Sequence, residues 1–277
     1  MKKAGFEIFE GFDKVGIKFP EYSVIVPQTK RSFTVRTMND SEESNLKGSV
    51  LTPEKIPEHL AEVLWSSIVK KPDDIKTYED FINKTTIRDR DTLVYALHVA
   101  TYKNIQEYKI PCSNPQCKSE NLVKVDLEKS FTANIWDDEG NGDILKFRKT
   151  VDLESLDGVS VVLKAPTIAD EIMVAKSNTF STKEELLSQM QSLMIDKIIV
   201  KPNATVPNGD SYTERANIYK AFKQIPVHDK KIIVSAYNEA FDKYQFSVVS
   251  KIECAKCHSV RELPIDMTSQ FFRSLYE

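Results

Sequence analysis

Two pairs of cysteines limit the folds available to this chain more than any other feature of its sequence. Cys112 and Cys117 lie in "EYKIPCSNPQCKSENLVKVDL", and Cys254 and Cys257 lie in "FSVVSKIECAKCHSVRELPI". On both sides of each pair, apolar and polar residues alternate, which is typical of β-strands. Each pair is therefore predicted at the tip of a β-hairpin, and residues 118–253 separate the two tips.

Four thiolates at two such tips are suited to bind one metal ion. Structural zinc is held by four ligands in a tetrahedron, and two facing turns can supply two thiolates each. The sequence therefore predicts one structural Zn2+ site formed by Cys112, Cys117, Cys254 and Cys257. Closing a flexible loop of this length costs about 4 kcal/mol plus a constant. Structural zinc contributes about 10–16 kcal/mol in peptides at neutral pH, so the metal can hold the two ends together.

The run Cys254-Ala-Lys-Cys257-His258 also fits other chemistries. Cys-x-x-Cys-His is the attachment signature of c-type haem, and Cys-x-x-Cys alone can be a dithiol redox site. Haem attachment leaves the first cysteine pair unexplained. A redox pair is expected at a helix N-terminus, whereas the residues after Cys257 have an extended pattern. Buried thiols without a metal are a further alternative. We interpret His258 as a neighbour of the zinc site, because four cysteines complete the coordination.

The pattern of the sequence changes several times and divides the chain into five segments, two of which contain a cysteine-bearing turn, or knuckle. The segments are an extended N-terminal arm (1–50), a helical region (51–104), the first zinc knuckle and a β region (105–166), a helical insertion (167–243), and the second zinc knuckle with a C-terminal segment (244–277). The predicted fold class is α+β: a zinc-ribbon-like β module formed by two distant knuckles, with a small antiparallel sheet over residues 130–166 and the helical insertion.

Helices are predicted from apolar residues at helical spacing. One helix runs from about Arg88 to Tyr102, and the charged run Asp89-Arg90-Asp91 at its start is interpreted as helix capping, because acidic groups are favoured beside exposed N–H groups. In the insertion, one broad apolar face predicts a helix that continues as far as residue 198. The residues of this face are Leu186, Leu187, Met190, Leu193, Met194 and Ile198.

The charge of the chain is nearly balanced, with 38 Lys and Arg residues against 41 Asp and Glu residues. The whole molecule therefore has no field that attracts nucleic acid or anionic lipid. A zinc-ribbon nucleic-acid-binding module stays an alternative, because basic residues surround the second knuckle and phosphate contacts depend on such charges. These residues are Lys251, Lys256, Arg261 and Arg273.

Membrane and enzyme classes have little support in the sequence. No uninterrupted apolar stretch reaches the length of about 18 residues that a membrane span needs, and acidic residues interrupt the N-terminus before a signal peptide can form. We expect a soluble intracellular protein. The chain has eight glycines and contains no Gly-rich phosphate loop, nucleophile elbow or His-Glu-x-x-His motif. A complete tetrad of thiolates leaves no open position on zinc, so the metal is expected to be structural.

The order of several motifs resembles the T-even-type bacteriophage baseplate hub assembly family. The motifs are "TTIRDRDTLVYALHVATY", "YKIPCSNPQC", "SVVLKAPTIADE" and "CAKCHSVRELPIDMTSQFFRSLYE". They contain Asp89-Arg90, the two cysteine pairs, Pro166-Thr167 and Phe271-Phe272, and they cover about residues 85–277.

This resemblance implies a non-enzymatic structural or assembly component of a contractile-tail baseplate. It implies contacts with other baseplate, hub or tape-measure proteins in a symmetric multi-protein assembly. The expected location is the host cytoplasm during assembly and then the tail baseplate of the virion. We expect the N-terminal arm and the C-terminal "MTSQFFRSLYE" to dock on partners, since aromatic anchors are frequent in interfaces. The alternative is that Phe271 and Phe272 complete the core of the chain itself.

Overall fold

The computed structural model describes residues 19–50, 53–102, 104–137, 139–176, 183–202 and 206–275. Over these residues helices combine with small antiparallel sheets, which confirms the α+β class. The helices are α1 (Asp40–Val50), α2 (Ile56–Ser67), α3 (Tyr78–Lys84), α4 (Ile87–Tyr102), α5 (Ile168–Lys176), α6 (Lys183–Ser192), α7 (Arg215–Gln224), α8 (Val227–Tyr237) and α9 (Met267–Ser274).

The strands are short, and each pairs with its neighbour in the antiparallel direction. They are β1 (Glu21–Ile25), β2 (Ser32–Arg36), β3 (Ile68–Lys70), β4 (Ile105–Pro111), β5 (Glu120–Asp126), β6 (Phe131–Ala133), β7 (Lys149–Asp152), β8 (Val159–Leu163), β9 (Ile195–Val200), β10 (Asp210–Tyr212), β11 (Phe246–Glu253) and β12 (Val260–Pro264). No helix in the described part of the chain is both long and apolar enough to cross a membrane.

The N-terminal strands are part of the main body of the protein. Strands β1 and β2 form a hairpin, and β3 pairs with the other side of β2. Phe33 and Val35 are buried in the core that also contains side chains of α2 and α4. Residues 1–18 of the arm expected over residues 1–50 lie outside the described residues. The described part packs against the first core and is not a free arm, because burial of alternate apolar side chains on β1 and β2 stabilises this packing.

Helix α4 is the central element of the first core. Nearly every residue from Asp89 to Val99 is buried, and the helix contacts β1, β2, α2 and α9. A helix buried on all sides is expected to be apolar all round, and Leu93 and Leu97 agree with this rule. The buried polar groups of α4 are exceptions. Asp89 does not cap its own helix, because the hydroxyl of Thr86 accepts the N–H of Asp89.

Two hairpins leave this core side by side. The chain continues from α4 into hairpin β4–β5, and hairpin β11–β12 continues into α9, which packs against α4. A small apolar cluster fills the space at the base of the hairpins. It consists of Tyr95, Val99, Val125, Leu127, Val248 and Met267. Both hairpins therefore extend from helices that are themselves in contact, and this places their tips close together.

The residues between the two hairpins include a second sheet, with strand order β10-β9-β8-β7, and a second core that α7 and α8 help to form. The prediction that one helix continues to Met194 and Ile198 is wrong beyond Ser192. Helix α6 ends at Ser192, and Ile195–Val200 forms strand β9 next to β8. The three isoleucines of this strand favour an extended backbone, and two of them are buried in the second core. The insertion over residues 167–243 therefore contains strands as well as helices.

The small antiparallel sheet predicted over residues 130–166 is divided between two sheets. Strand β6 pairs with the first three residues of β11, at the end of that strand away from the second knuckle, whereas β7 and β8 belong to the sheet of β9 and β10. Backbone hydrogen bonds also join the first core to the start of α5, since Ile87 N–H donates to the carbonyl of Pro166 and Ile168 N–H donates to the carbonyl of Thr85, each at 3.0 Å. The insertion thus begins against α4.

Candidate metal centre

The two knuckles have the same backbone closure although their cysteines have different spacings. In the first knuckle the N–H of Cys112 donates to the carbonyl of Ser119 at 2.8 Å, and in the second the N–H of Cys254 donates to the carbonyl of Ser259 at 2.9 Å. Each serine stands two positions after the second cysteine of its pair. Each closing bond continues the ladder of its hairpin, so both cysteine pairs lie at hairpin tips, as the alternating pattern predicts.

The residue between the second cysteine and the serine has a left-handed backbone in both turns. Lys118 has a φ of 50° and His258 has a φ of 58°. Residues other than glycine rarely adopt this backbone conformation, because it brings the Cβ atom close to the following carbonyl oxygen. The turns impose this conformation, and it directs the chain back into the second strand of each hairpin.

The structure brings the four predicted cysteines together. Their sulfur atoms all lie within 4.8 Å of one another. The Sγ atoms of Cys112 and Cys257 are 3.5 Å apart, and those of Cys117 and Cys254 are 3.9 Å apart. Each of these two close contacts joins one hairpin to the other. We call this group the cysteine cluster.

The distances in the cluster fit a metal better than disulfides. A disulfide requires sulfur atoms about 2.05 Å apart, and all four cysteines are free. In a tetrahedron with zinc–sulfur bonds of about 2.3 Å, the sulfur atoms are about 3.8 Å apart. The observed separations of 3.5 and 3.9 Å lie on either side of this value. The donor set, four soft thiolates in a compact group, is also the set that zinc prefers in structural sites.

Hydroxyl and backbone N–H groups surround the sulfur atoms. The Ser119 hydroxyl oxygen is 3.2 Å from the Sγ atoms of both Cys117 and Cys254. The Ser259 hydroxyl oxygen is 3.3 Å from the Sγ of Cys112 and 3.2 Å from that of Cys257. Every sulfur atom of the cluster is therefore within hydrogen-bond distance of a serine hydroxyl.

These groups favour the charged form of the second pair. The Ser119 hydroxyl, together with the N–H groups of Cys257 and Lys256, lowers the pKa of the Cys254 thiol to about 5. The hydroxyl and the N–H of Ser259 likewise lower the pKa of the Cys257 thiol. A metal binds thiolates and not thiols, so this environment prepares the second pair for a cation at neutral pH.

His258 lies outside the cysteine cluster. Its side chain is exposed, and its Nδ1 atom is 2.7 Å from a carboxylate oxygen of Glu253. The dithiol redox alternative expects the second pair at a helix N-terminus, but Cys254 and Cys257 lie on a turn between two strands. The geometry therefore supports the interpretation of the run as one half of a four-thiol site.

Other predicted residues have structural roles. Asp89 is fully buried and accepts hydrogen bonds from the N–H groups of Gln28 and Thr29, at 2.8 and 3.0 Å, and from the Thr29 hydroxyl at 2.6 Å. Desolvation raises its pKa to about 6. Arg90 forms ion pairs with Glu171 and Asp91. The Asp-Arg pair thus attaches α4 to the loop after β1 and to α5, which the sequence did not reveal.

The C-terminal aromatic pair belongs to the first core. Phe271 is fully buried, and Phe272 packs against the same core while partly exposed. The docking role expected for Phe271 is therefore wrong, because its side chain already has an apolar environment within the chain.

Sequence reasoning also missed residues that organise the site. Ser119 and Ser259 were not singled out, although their equal positions after each pair are visible in the sequence. Asn121 was missed as well; its side-chain oxygen accepts the N–H of Ala255 at 3.2 Å, which joins the first hairpin to the second knuckle. This contact has no local sequence signal, since it joins residues that are far apart in the chain.

Fold and site together define a class of protein: an α+β chain in which two distant hairpins meet at four free thiols. The model of a protein family described as T4 bacteriophage base plate protein matches residues 19–273, and the chain belongs to this family. The match confirms the resemblance of the motifs to phage baseplate proteins, and it extends that resemblance to β1 and β2. Comparison with curated proteins and with solved structures finds no match.

Proposed function

We propose that this chain is a non-enzymatic structural or assembly component of the hub region of a contractile-tail baseplate, and that its cysteine cluster binds one structural zinc ion. Membership of the baseplate family supports the baseplate role. The observation that carries the zinc proposal is the convergence of four thiols from two hairpins within 4.8 Å. Cys112, Cys117, Cys254 and Cys257 would hold the metal, which supplies a cross-link between the hairpins.

The zinc site has a structural role in this proposal, because four protein ligands leave no position for a substrate. A fixed pair of hairpins gives partner proteins a rigid surface, and rigidity lowers the entropy that binding costs. The partners are other baseplate, hub or tape-measure proteins, and the expected location is the host cytoplasm during assembly and then the virion tail.

The nucleic-acid-binding alternative has weaker support. On hairpin β11–β12, Lys251 lies directly opposite Glu262, and Glu253 is on the same strand as Lys251. Acidic groups thus accompany the basic residues near the second knuckle, which reduces the positive potential that phosphate binding needs.

The zinc proposal is tested by measuring zinc per chain after purification under reducing conditions. We expect one zinc in the natural chain and in the control variant Ser113→Ala, whose side chain is exposed in the first knuckle. The variant Cys254→Ser is expected to lose most of the metal, because it removes one of four thiolates. A natural chain that folds and purifies without metal would contradict the proposal.

The baseplate proposal is tested in the phage that carries the gene. Tail and baseplate intermediates are isolated from infected cells, and this chain is quantified in each by mass spectrometry. We expect it together with identified hub or baseplate proteins, and we expect Cys254→Ser but not Ser113→Ala to reduce its amount there. A chain absent from all identified baseplate intermediates and from finished tails would refute the role.

A further inference from the structure

Ser119 and Ser259 occupy equivalent positions in the two knuckles. The backbone carbonyl of each serine accepts the N–H of the first cysteine in its own knuckle. The hydroxyl of each serine contacts one sulfur of its own knuckle and one sulfur of the other. The two serines are thus related by the same approximate symmetry as the two cysteine pairs, which is not expected of incidental surface residues.

A zinc–thiolate centre would be stabilised by hydroxyl donors close to its sulfur atoms. One divalent cation with four thiolates has a net charge of −2, and hydrogen bonds to anionic sulfur are stronger than those between neutral groups. Each serine has one hydroxyl proton and two sulfur acceptors within 3.3 Å. Donation to the opposite knuckle adds a contact across the junction between the hairpins that does not pass through the metal.

We propose that Ser119 and Ser259 are positioning residues that hold the thiolates of both knuckles in place and strengthen metal retention. This inference rests on the zinc site proposed above. The carbonyl of each serine fixes the turn, and its hydroxyl orients sulfur atoms from both hairpins. Groups that orient metal ligands typically change metal affinity about 10- to 100-fold when they are removed.

The test compares threonine and valine at each position. These side chains have nearly the same shape and differ in the hydroxyl. Both are β-branched and suit positions next to a strand, and a strand begins one residue after each serine. Zinc affinity is measured by competition with a chromophoric chelator in the full chain. We expect Ser119→Val and Ser259→Val to bind zinc about 10-fold more weakly than the corresponding threonine variants. Ser113→Ala, in the same knuckle as Ser119, should retain the natural affinity.

A spectroscopic measurement separates the hydrogen bond from a general loss of structure. The chain is loaded with Co2+, and the sulfur-to-cobalt charge-transfer band is recorded. Loss of a hydrogen bond raises the energy of the sulfur lone pair, so the band of each valine variant should move to lower energy while the threonine band stays near its natural position.

The outcomes distinguish the two proposals. Equal zinc affinity and equal band positions for threonine and valine would overturn the role of the serines and leave the zinc site intact. A natural chain that takes up neither Zn2+ nor Co2+ would overturn both proposals. Weaker binding with a shifted band in the valine variants alone would support the serine role.

Discussion

The paired hairpins and the insertion bring distant parts of the chain together in different ways. In the insertion, large buried side chains such as Phe222, Ile233 and Phe241 fill a core between the sheet and its helices. The hairpins share a small apolar cluster near their base. Along their strands, exposed residues alternate with partly buried ones, so much of each hairpin is in contact with solvent. The insertion is held together by apolar burial, whereas the hairpin tips contact each other mainly through the four cysteine sulfur atoms. Only the second should depend on a metal.

Metal removal is expected to have the largest effect, and to affect one region only. Structural zinc contributes about 10–16 kcal/mol in peptides, and a chelator should therefore abolish protection from hydrogen exchange in β4–β5 and β11–β12. Protection in β8 and β9 should persist, because their core contains no zinc ligand. Equal loss of protection in both regions, measured by mass spectrometry, would show that the insertion depends on the metal as much as the hairpins do.

A cavity in the second core should produce the opposite pattern. Phe222 is almost fully buried, and truncation of a buried phenylalanine typically costs about 3–5 kcal/mol. We expect Phe222→Ala to lower the free energy of unfolding of the insertion by this amount, measured with denaturant, while zinc per chain does not change. The exposed Lys223→Ala is the matched control from the same helix. Loss of zinc in Phe222→Ala would show that the two regions are coupled.

His98 should make the first core sensitive to acid. It is fully buried next to Tyr102 and Phe271, and neither ring nitrogen has a hydrogen-bond partner. Desolvation lowers its pKa from 6.5 to about 4. Between these values the unfolded chain binds a proton that the folded chain excludes, so stability falls as the pH falls through this window.

This effect can be isolated with His98→Leu. Between pH 7 and pH 5 the natural chain should lose about 2 kcal/mol more of its free energy of unfolding than the variant, at 1.36 kcal/mol for each pKa unit. The other ionisable residues are the same in both proteins, so the difference reports His98. Denaturant unfolding at the two pH values measures it, and identical pH dependence in the two proteins would contradict the assignment.

The smallest effect is expected at the turn of the second knuckle. Glycine at position 258 would relieve the left-handed strain, which costs about 1–2 kcal/mol, but it would also raise the entropy of the unfolded chain by about 0.4–1 kcal/mol. His258→Gly should therefore raise stability by at most about 1.6 kcal/mol and keep one zinc per chain. Loss of the metal in this variant, measured as zinc per chain, would indicate that His258 is a metal ligand.

The parts of the fold that were predictable have local causes. The alternation around each cysteine pair is complete within about ten residues, so the hairpins and their tips are evident from the sequence. Helix α4 is likewise visible, because its apolar residues recur over four turns. The meeting of the two pairs could be expected from chemistry, since four thiols in two similar turns suit one metal.

The parts that were missed depend on distant partners. Met194 and Ile198 continue the helical spacing of Met190, and only the neighbouring strand β8 makes Ile195–Val200 extended. The role of Asp89 was equally hidden, because its donors Gln28 and Thr29 lie about 60 positions earlier. In such cases tertiary packing overrides local preference.

The separation of the two knuckles also has a consequence for synthesis. Cys117 leaves the ribosome 137 positions before Cys254, which corresponds to about 7 to 27 seconds at 5–20 residues per second. During this interval the nascent chain presents two thiols with no opposite pair to meet. The four-thiol cluster can form only after the residues between the two hairpins have been synthesised, so a chain that ends before Cys254 cannot complete it.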